Sequence, residues 1–328
     1  MKELKKVCED FIKNRDTLKE TFRFQNSYLI PVCASYLTGK DQIVETEQLK
    51  KCSALMKKGL PKAFGGNAKL PVLSILAADH NPEEKLERIQ EIYQALKLHF
   101  HSSEYLALVA AIMDGLAAPA QYGQKAKRGK DIYHKMKKEH PFLTSKEDSV
   151  FAVLLAFSSR GDEELIADME TCYQSLKGEF SSGNYLQSLS QVLAFSDDAS
   201  HAKCKRFSAL YQTLKNVGLK YGRQYELAVL GALSVMPVDI GILADEIREV
   251  DAYLQTQKGY GIIGLNRKIR LMHAAMLVSG QHQKNQEIHA DAAVMTGTLA
   301  LLAAQQAAMC AVMASCVAAT AANSGSSN

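Results

Sequence analysis

Residues 93–97 read Tyr-Gln-Ala-Leu-Lys, and four further five-residue stretches occupy matching positions along the chain. They are Ser-Ala-Leu-Met-Lys at 53–57, Tyr-His-Lys-Met-Lys at 133–137, Tyr-Gln-Ser-Leu-Lys at 173–177 and Tyr-Gln-Thr-Leu-Lys at 211–215. Their starting positions advance by 40, 40, 40 and 38 residues. A period of this size predicts stacked supersecondary units, each of which buries its apolar face against its neighbours.

Each unit is predicted to be a pair of helices, and the unit that contains the opening stretch shows why. Asn81 can cap free backbone amides at a helix start, and Pro82 suits the first helical position. Apolar residues then recur at spacings of three and four as far as Leu96, which predicts one buried stripe. A second helix is predicted from Glu104 to about Gly115, and its nearly continuous apolar sequence is typical of a helix enclosed by neighbours.

Two weaker units flank these copies. In the first unit Pro31 lies 40 residues before Pro71, and both prolines suit the first turn of a helix, where backbone amides lack partners. In the last unit a long helix at 239–258 is followed by another at 267–279. The sequence therefore predicts an all-α fold of about seven tandem helix–helix repeats of about 40 residues, arranged as an open α-solenoid or a closed α/α ring.

The end of the chain has a different composition. Residues 296–322 are rich in alanine, which favours a helix. We predict a helical-repeat domain at 1–283, an Ala-rich C-terminal helix at 284–322 and a disordered tail at 323–328. Three roles stay open for that helix: packing on the repeats or self-association, a mobile amphipathic tail, or membrane contact. Membrane contact would run through 296–322, which is long enough to span a bilayer but contains two adjacent glutamines.

Composition and charge exclude several classes of protein. The chain has 328 residues, and its hydrophobic fraction of 47% excludes general disorder. A net charge of +4 and a pI of about 8.5 are too mild for a nucleic-acid-binding protein. The seven cysteines show no Cys-x-x-Cys spacing, so neither a disulfide framework nor a zinc site is expected. The charged N-terminus lacks the apolar core of a signal peptide, which predicts a cytoplasmic protein.

One glycine pattern bears on ligand binding. Residues 259–264 read Gly-Tyr-Gly-Ile-Ile-Gly and match Gly-x-Gly-x-x-Gly. A dinucleotide site needs this pattern between a strand and a helix, whereas here it follows a predicted helix, so we expect no cofactor. We interpret Gly259, Gly261 and Gly264 as a turn that can offer backbone amides to an anion, at the start of the helix near Arg267.

The nine histidines show no recognised metal-ligand spacing. His282 and His289 would lie two helical turns apart, roughly 10 Å, which is too far for one zinc ion. We therefore expect no metal site. His273 lies within an apolar helix beside Arg270, and both are candidates for a ligand-facing site. The alternative for His273 is a hydrogen-bonded residue of the core.

Two sets of charged residues recur with the units. Acidic residues stand at the unit boundaries, where capping of helix starts explains them without catalysis. These residues are Asp79, Asp114, Asp162, Asp197, Asp198 and Asp239. Lysines also recur at the end of the first helix of each unit. A polyanion could bind along this row of lysines. The negative end of the helix dipole favours the same lysines without any ligand. These residues are Lys57, Lys97, Lys137, Lys177, Lys215 and, nearby, Lys258.

The repeated Tyr-x-x-[Leu/Met]-Lys stretches occur together with two further motifs. These are Arg-Leu-Met-His-Ala-Ala at 270–275 and Ala-Ala-Gln-Gln-Ala-Ala-Met at 303–309. The combination resembles a numbered bacterial family of unknown function over nearly the whole chain. The resemblance implies an all-helical bacterial protein of the cytoplasm, and it supplies no catalytic residues.

These observations favour a non-enzymatic helical-repeat scaffold that binds a protein or peptide partner along a concave face, because stacked repeats form extended grooves. Two alternatives stay open. One is an enzyme with an acidic or histidine site in the groove of a helical ring. The other is a protein that attaches to a membrane, or to a second copy of itself, through the C-terminal helix. No catalytic residue is assigned, and no nucleic-acid partner is expected.

Overall fold

The computed structural model describes residues 2–23, 28–57, 59–260 and 264–287. Within these ranges the chain forms fourteen α-helices and three short 3-10 turns, and it forms no β-strand. The predicted all-α fold class is confirmed. The predicted helix at 284–322 and tail at 323–328 lie, beyond residue 287, outside the described residues.

The helices alternate between two structural roles, so they are given as two sets. The odd-numbered helices are α1 Lys2–Thr21, α3 Thr46–Leu55, α5 Pro82–Lys97, α7 Tyr122–Glu139, α9 Asp162–Leu176, α11 Ser200–Asn216 and α13 Ile240–Gln255. The even-numbered helices are α2 Leu29–Gly39, α4 Lys69–Ala77, α6 Glu104–Met113, α8 Asp148–Leu155, α10 Asn184–Leu193, α12 Glu226–Ser234 and α14 Arg267–Glu287. The 3-10 turns are Lys62–Phe64, Gly66–Ala68 and Pro119–Gln121.

The even-numbered helices form a closed inner ring. Each of them contacts the next along the chain, from α2 to α14, and α14 in turn contacts α2. The same closure occurs outside the ring, where α1 contacts α13. Of the two architectures that the sequence left open, these contacts correspond to the closed ring. The equivalence of the helix pairs as copies of one repeated unit stays a prediction.

Burial explains why the two sets of helices take different positions. In α5 the apolar side chains at Leu86, Ile89 and Leu96 are buried while Glu87 and Glu91 between them are exposed, which is the pattern of an outer helix. In α6 every residue from Leu106 to Met113 is buried. Such unbroken burial means that α6 is enclosed by its neighbours on all sides, as expected of an inner helix.

Arginines of the outer helices satisfy carbonyl groups at the ends of the inner helices. Arg128 of α7 donates to the carbonyls of Ala156 and Ser158, which follow α8, at 3.0 and 2.6 Å. Arg206 of α11 donates to the carbonyl of Ser234 at the end of α12 at 2.5 Å. The last carbonyls of a helix have no partner within the helix. These hydrogen bonds therefore fix the position of α8 along α7, and of α12 along α11.

The predicted helix starts and ends are confirmed in part. Asp239 caps α13, because its carboxylate accepts hydrogen bonds from the amides of Gly241 and Ile242. Pro31 and Pro71 each occupy the third position of their helix, as predicted. The last helix continues past the predicted end at 279 to residue 287, so the proposed domain boundary after residue 283 falls inside α14.

Asp114 was expected to cap a helix start, and this prediction is wrong. It follows the last residue of α6, where its carboxylate accepts from Lys85 Nζ and Arg88 Nε, each at 2.7 Å. The two cations come from α5 and satisfy both carboxylate oxygens. Asp114 therefore connects the two helices of one pair rather than capping a helix.

Candidate functional site: a basic cleft where the ring closes

A depression beside the predicted site residues lies where α1 and α2 meet the loop between α13 and α14. Its volume is about 300 Å³, and we call it the basic cleft. Its lining consists of Arg15, Lys19, Tyr28, Ile30, Pro31, Lys258, Gly259, Tyr260, Gly264 and Leu265. A neighbouring depression of about 360 Å³ shares its three cations and adds Asp16, Glu20 and Arg23. Residues from both ends of the described chain therefore build one site.

Positive charge dominates the mouth of the basic cleft. Lys19 and Lys258 are both exposed, at the ends of α1 and α13. Arg15 is buried, and its guanidinium contacts the Asp16 carboxylate with Nη2 and Oδ1 2.7 Å apart. Asp16 offsets the charge of Arg15, so the two lysines supply the accessible positive charge. Such exposed charges attract anions in a way that salt screens.

Tyr260 forms the floor of the basic cleft. Its ring is fully buried, and the Arg15 guanidinium carbon lies 5.5 Å from the ring centre, a distance at which cation and π-system attract. The Tyr260 hydroxyl lies 2.7 Å from Nδ1 of His273 on α14. The floor thus combines three side chains from three elements of the fold, with the Tyr260 and His273 rings edge to face at 80°.

His273 is held in its neutral form. Burial, with a smaller effect of the nearby Arg15 charge, lowers the pKa of His273 to about 3. Burial also raises the pKa of Tyr260 above its usual value. Neither group changes its protonation near neutral pH, so this pair cannot act as a general acid and base. Within the described residues, Nε2 of His273 has no hydrogen-bond partner.

Arg270 supports the floor from below. Its Nε and Nη2 atoms donate to the two carboxylate oxygens of Asp251 on α13, at 2.7 and 3.3 Å. Its Nη1 atom donates to the backbone carbonyl of Tyr260 at 3.1 Å. Arg270 and Asp251 are both buried, so this fork is shielded from solvent. One side chain thereby joins α13, α14 and the loop between them.

The two described glycines of the pattern shape the wall. Gly259 has a φ of +92°, which a residue with a side chain rarely adopts. The amide of Leu265 donates to the Gly259 carbonyl at 2.9 Å. A Cβ atom on Gly264 would lie 2.2 Å from that carbonyl oxygen. The glycines therefore close a tight turn between two helices, and the element before the pattern is the helix α13, where a dinucleotide fold would require a strand.

Four of the five predicted site residues converge on Tyr260. Gly259 and Gly264 line the basic cleft, while Arg270 and His273 contact Tyr260 from beneath. Gly261 lies outside the described residues. The sequence did not identify the lining residues on α1 and α2. It did offer a signal for Tyr260, which lies inside the glycine pattern.

Lys258, which the sequence placed at the end of the lysine row, lines the basic cleft, while Asp114 and Asp162 lie in ion pairs elsewhere in the fold. Asp162 at the start of α9 contacts Arg128 at 2.8 Å and Lys135 at 3.5 Å. The row of lysines lies exposed at the ends of the odd-numbered helices. Across the part of the chain that the structure describes, no group of three or more His, Cys, Asp or Glu residues is placed to hold a metal ion. Among the described helices, none is both long and apolar enough to cross a membrane.

The fold and site define an all-α ring protein with a cationic cleft at its point of closure. The chain belongs to the family described as "Protein of unknown function (DUF4003)", whose model matches residues 14–307. It is 24% identical over 336 residues to the "Uncharacterized protein YeaA" of Bacillus subtilis (strain 168), a match that covers 97% of each chain. No solved structure matches the chain. The predicted membership of an uncharacterised family is confirmed.

Proposed function

We propose that the chain is a non-enzymatic helical scaffold that binds an acidic, partly apolar segment of a partner protein in the basic cleft. The observation that carries the proposal is the composition of the cleft. Lys19 and Lys258 stand at its mouth, and Ile30, Pro31 and Leu265 line it. A peptide with carboxylates beside one or two apolar side chains complements both parts.

The location of this site differs from the one expected for an open array of repeats. In the ring the inner helices α6 and α12 are buried along most of their length, so they offer little of the open surface that the concave face of a solenoid would. The accessible depression instead lies where the two ends of the array meet. The fork between Arg270 and Asp251 keeps its floor rigid, which lowers the entropy cost of binding.

The chemistry of the described polar groups supports binding over catalysis. His273 stays neutral and Tyr260 stays protonated at physiological pH, as their pKa values indicate. The buried Asp168 carboxylate contacts Lys203 and Arg160, at 2.5 and 2.9 Å. Carboxylates in such pairs maintain the fold, and this supports a scaffold rather than the alternative of an enzyme in a helical ring.

The free cysteines support a reducing compartment, and we place the protein in the cytoplasm. Cys8, Cys33, Cys52, Cys172 and Cys204 are unpaired and buried. Burial raises the pKa of Cys8 and Cys33 to about 12, which keeps both thiols protonated and unreactive.

Binding is tested by titrating the protein into a fluorescently labelled peptide that alternates glutamates with leucines, and following anisotropy. The Lys19→Glu/Lys258→Glu variant should bind about 30-fold more weakly, corresponding to about 2 kcal/mol for two reversed charges. The control Lys97→Glu/Lys177→Glu has the same net charge and reverses two exposed lysines elsewhere on the ring. Equal weakening by both variants, or no peptide binding by the wild type, would refute the proposal.

A further inference from the structure

A second surface of the ring has a chemistry that the basic cleft does not explain. It lies at the turns after α5 and α7, in the third and fourth helix pairs. Leu98, directly after α5, is 80% exposed, and Phe142, shortly after α7, is 99% exposed. These are the two most exposed large hydrophobic side chains among the described residues. Isolated apolar side chains are common on surfaces, but a phenylalanine with no protein contact over its surface is unusual.

The two turns are neighbours on one face of the ring. Odd-numbered helices end and even-numbered helices begin on this face, so both connections emerge on the same side. Helix α5 contacts α7. The rings of Phe100 and Tyr133, one from each pair, lie 5.9 Å apart. Leu98 and Phe142 therefore lie exposed in adjacent sectors on one face of the ring.

The charge around these two residues is positive. Residues 97–104 and 137–147 contain four exposed lysines and one exposed carboxylate, that of Glu139. The lysines are Lys97, Lys137, Lys138 and Lys146. Burial raises the pKa of the half-buried Glu147 to about 7, which reduces its negative charge at neutral pH. We call Leu98, Phe142 and the four lysines the apolar–basic rim.

The form of the apolar–basic rim indicates the kind of partner. Its apolar side chains protrude singly and line no groove, whereas a protein partner fits flat or concave surfaces with close packing. Its cations are all lysines, which protein interfaces disfavour relative to arginine. Protruding Phe and Leu side chains can enter the boundary between headgroups and acyl chains, and flexible lysines reach lipid phosphates. A lipid surface therefore suits the rim better than a protein does.

We propose that the apolar–basic rim docks the protein reversibly on an anionic phospholipid surface, with Phe142 and Leu98 inserted and the lysines at the headgroups. The basic cleft lies in the first and seventh helix pairs, on the same face of the ring as the rim but in a different sector from the third and fourth pairs. A ring that tips onto the rim places the third and fourth pairs against the lipid and the cleft in the sector farthest from it. In that orientation the cleft can still receive a partner at the membrane surface.

Vesicle flotation of the full chain tests the proposal. The wild type should float with phosphatidylcholine vesicles that contain phosphatidylglycerol, should stay behind with pure phosphatidylcholine, and should dissociate as salt increases. The Leu98→Ser/Phe142→Ser variant should bind at least about 30-fold more weakly, since each inserted side chain contributes about five- to tenfold.

The ring offers a matched control for these changes. Ile43 and Ile242 are 45% and 52% exposed, and they lie where even-numbered helices end and odd-numbered helices begin, on the opposite face. The Ile43→Ser/Ile242→Ser variant should bind vesicles as the wild type does. If the wild type binds no vesicles, or if the Leu98→Ser/Phe142→Ser variant floats like the wild type, the proposal is wrong. The latter result would assign binding to another part of the chain, such as 296–322.

Insertion itself can be measured, because the chain contains no tryptophan. In the Phe142→Trp variant the emission should shift to shorter wavelength when anionic vesicles are added, since the indole leaves water. In the Ile242→Trp variant the emission should not shift. A Phe142→Trp emission that stays unchanged in the presence of bound vesicles would contradict docking through the rim. The Lys19→Glu/Lys258→Glu variant should keep its vesicle binding while losing the peptide, which separates this proposal from the proposed function.

Discussion

Replacing Arg270 by methionine should destabilise the protein strongly, because Arg270 closes the ring from inside. The substitution keeps most of the side-chain volume but removes the three hydrogen bonds to Asp251 and to the Tyr260 carbonyl. Asp251 is only 5% exposed, so its carboxylate would stay buried without its cation. Breaking a buried pair in this way costs about 3–5 kcal/mol. For a chain of this size that corresponds to a fall in Tm of about 5–10 °C.

Differential scanning fluorimetry and urea unfolding measure this effect, with Arg248→Met as the control. Arg248 also contacts a carboxylate on α13, that of Asp245 at 2.8 Å, but the two side chains are 56% and 66% exposed. An exposed pair contributes about 0–1 kcal/mol, so the control should melt within about 2 °C of the wild type. Arg270→Met/Asp251→Leu, which removes both charges, should recover part of the loss. If Arg270→Met melts like Arg248→Met, the fork does not hold the closure of the ring together.

Two further changes test the wall and floor of the basic cleft. Gly264→Ala places a Cβ 2.2 Å from the Gly259 carbonyl oxygen and should lower the free energy of unfolding in urea by about 1–3 kcal/mol. The control Gly123→Ala meets open space in α7 and should be neutral or stabilising. Equal effects of the two substitutions would contradict the close approach of the turn. Burial lowers the pKa of His273 from 6.5 to about 3. As the pH falls below 6.5, His273 therefore takes up a proton in the unfolded chain but not in the folded chain. This difference should reduce the stability of the fold by about 1.4 kcal/mol per pH unit. The His273→Gln variant should therefore lose stability less steeply than the wild type between pH 6.5 and about pH 4, and parallel curves would show that His273 is charged or exposed in the folded state.

Local features of the fold were predictable from the sequence because short-range chemistry determines them. Asn81 accepts from the amide of Glu84 in the first turn of α5, and Asp239 caps α13, as their positions predicted. The alternation of amphipathic and fully apolar segments likewise indicated an all-α fold with an outer and an inner set of helices. In each case the partners lie within one or two helical turns.

Features that depend on distant parts of the chain were not predictable in this way. Asp114 looked like a helix cap, but Lys85 and Arg88, 29 and 26 residues away, bind its carboxylate instead. The basic cleft exists only because α14 returns to α2 and brings Tyr260 against Arg15. Nothing in the local pattern around Arg15 specifies that contact, so the sequence identified the half of the site at 259–273 and missed the half on α1 and α2.

Photo-crosslinking in cells can establish whether a partner protein binds in the basic cleft. Tyr28 lines the cleft and is 42% exposed, so a benzoylphenylalanine at this position keeps an aromatic ring there and reports what occupies it. One dominant adduct is expected, which disappears when Lys19→Glu/Lys258→Glu is added to the same chain and persists with Lys57→Glu/Lys177→Glu, two exposed lysines outside the basic cleft and the rim. An adduct that survives the first pair of substitutions, or no adduct at all, would contradict partner binding in the basic cleft.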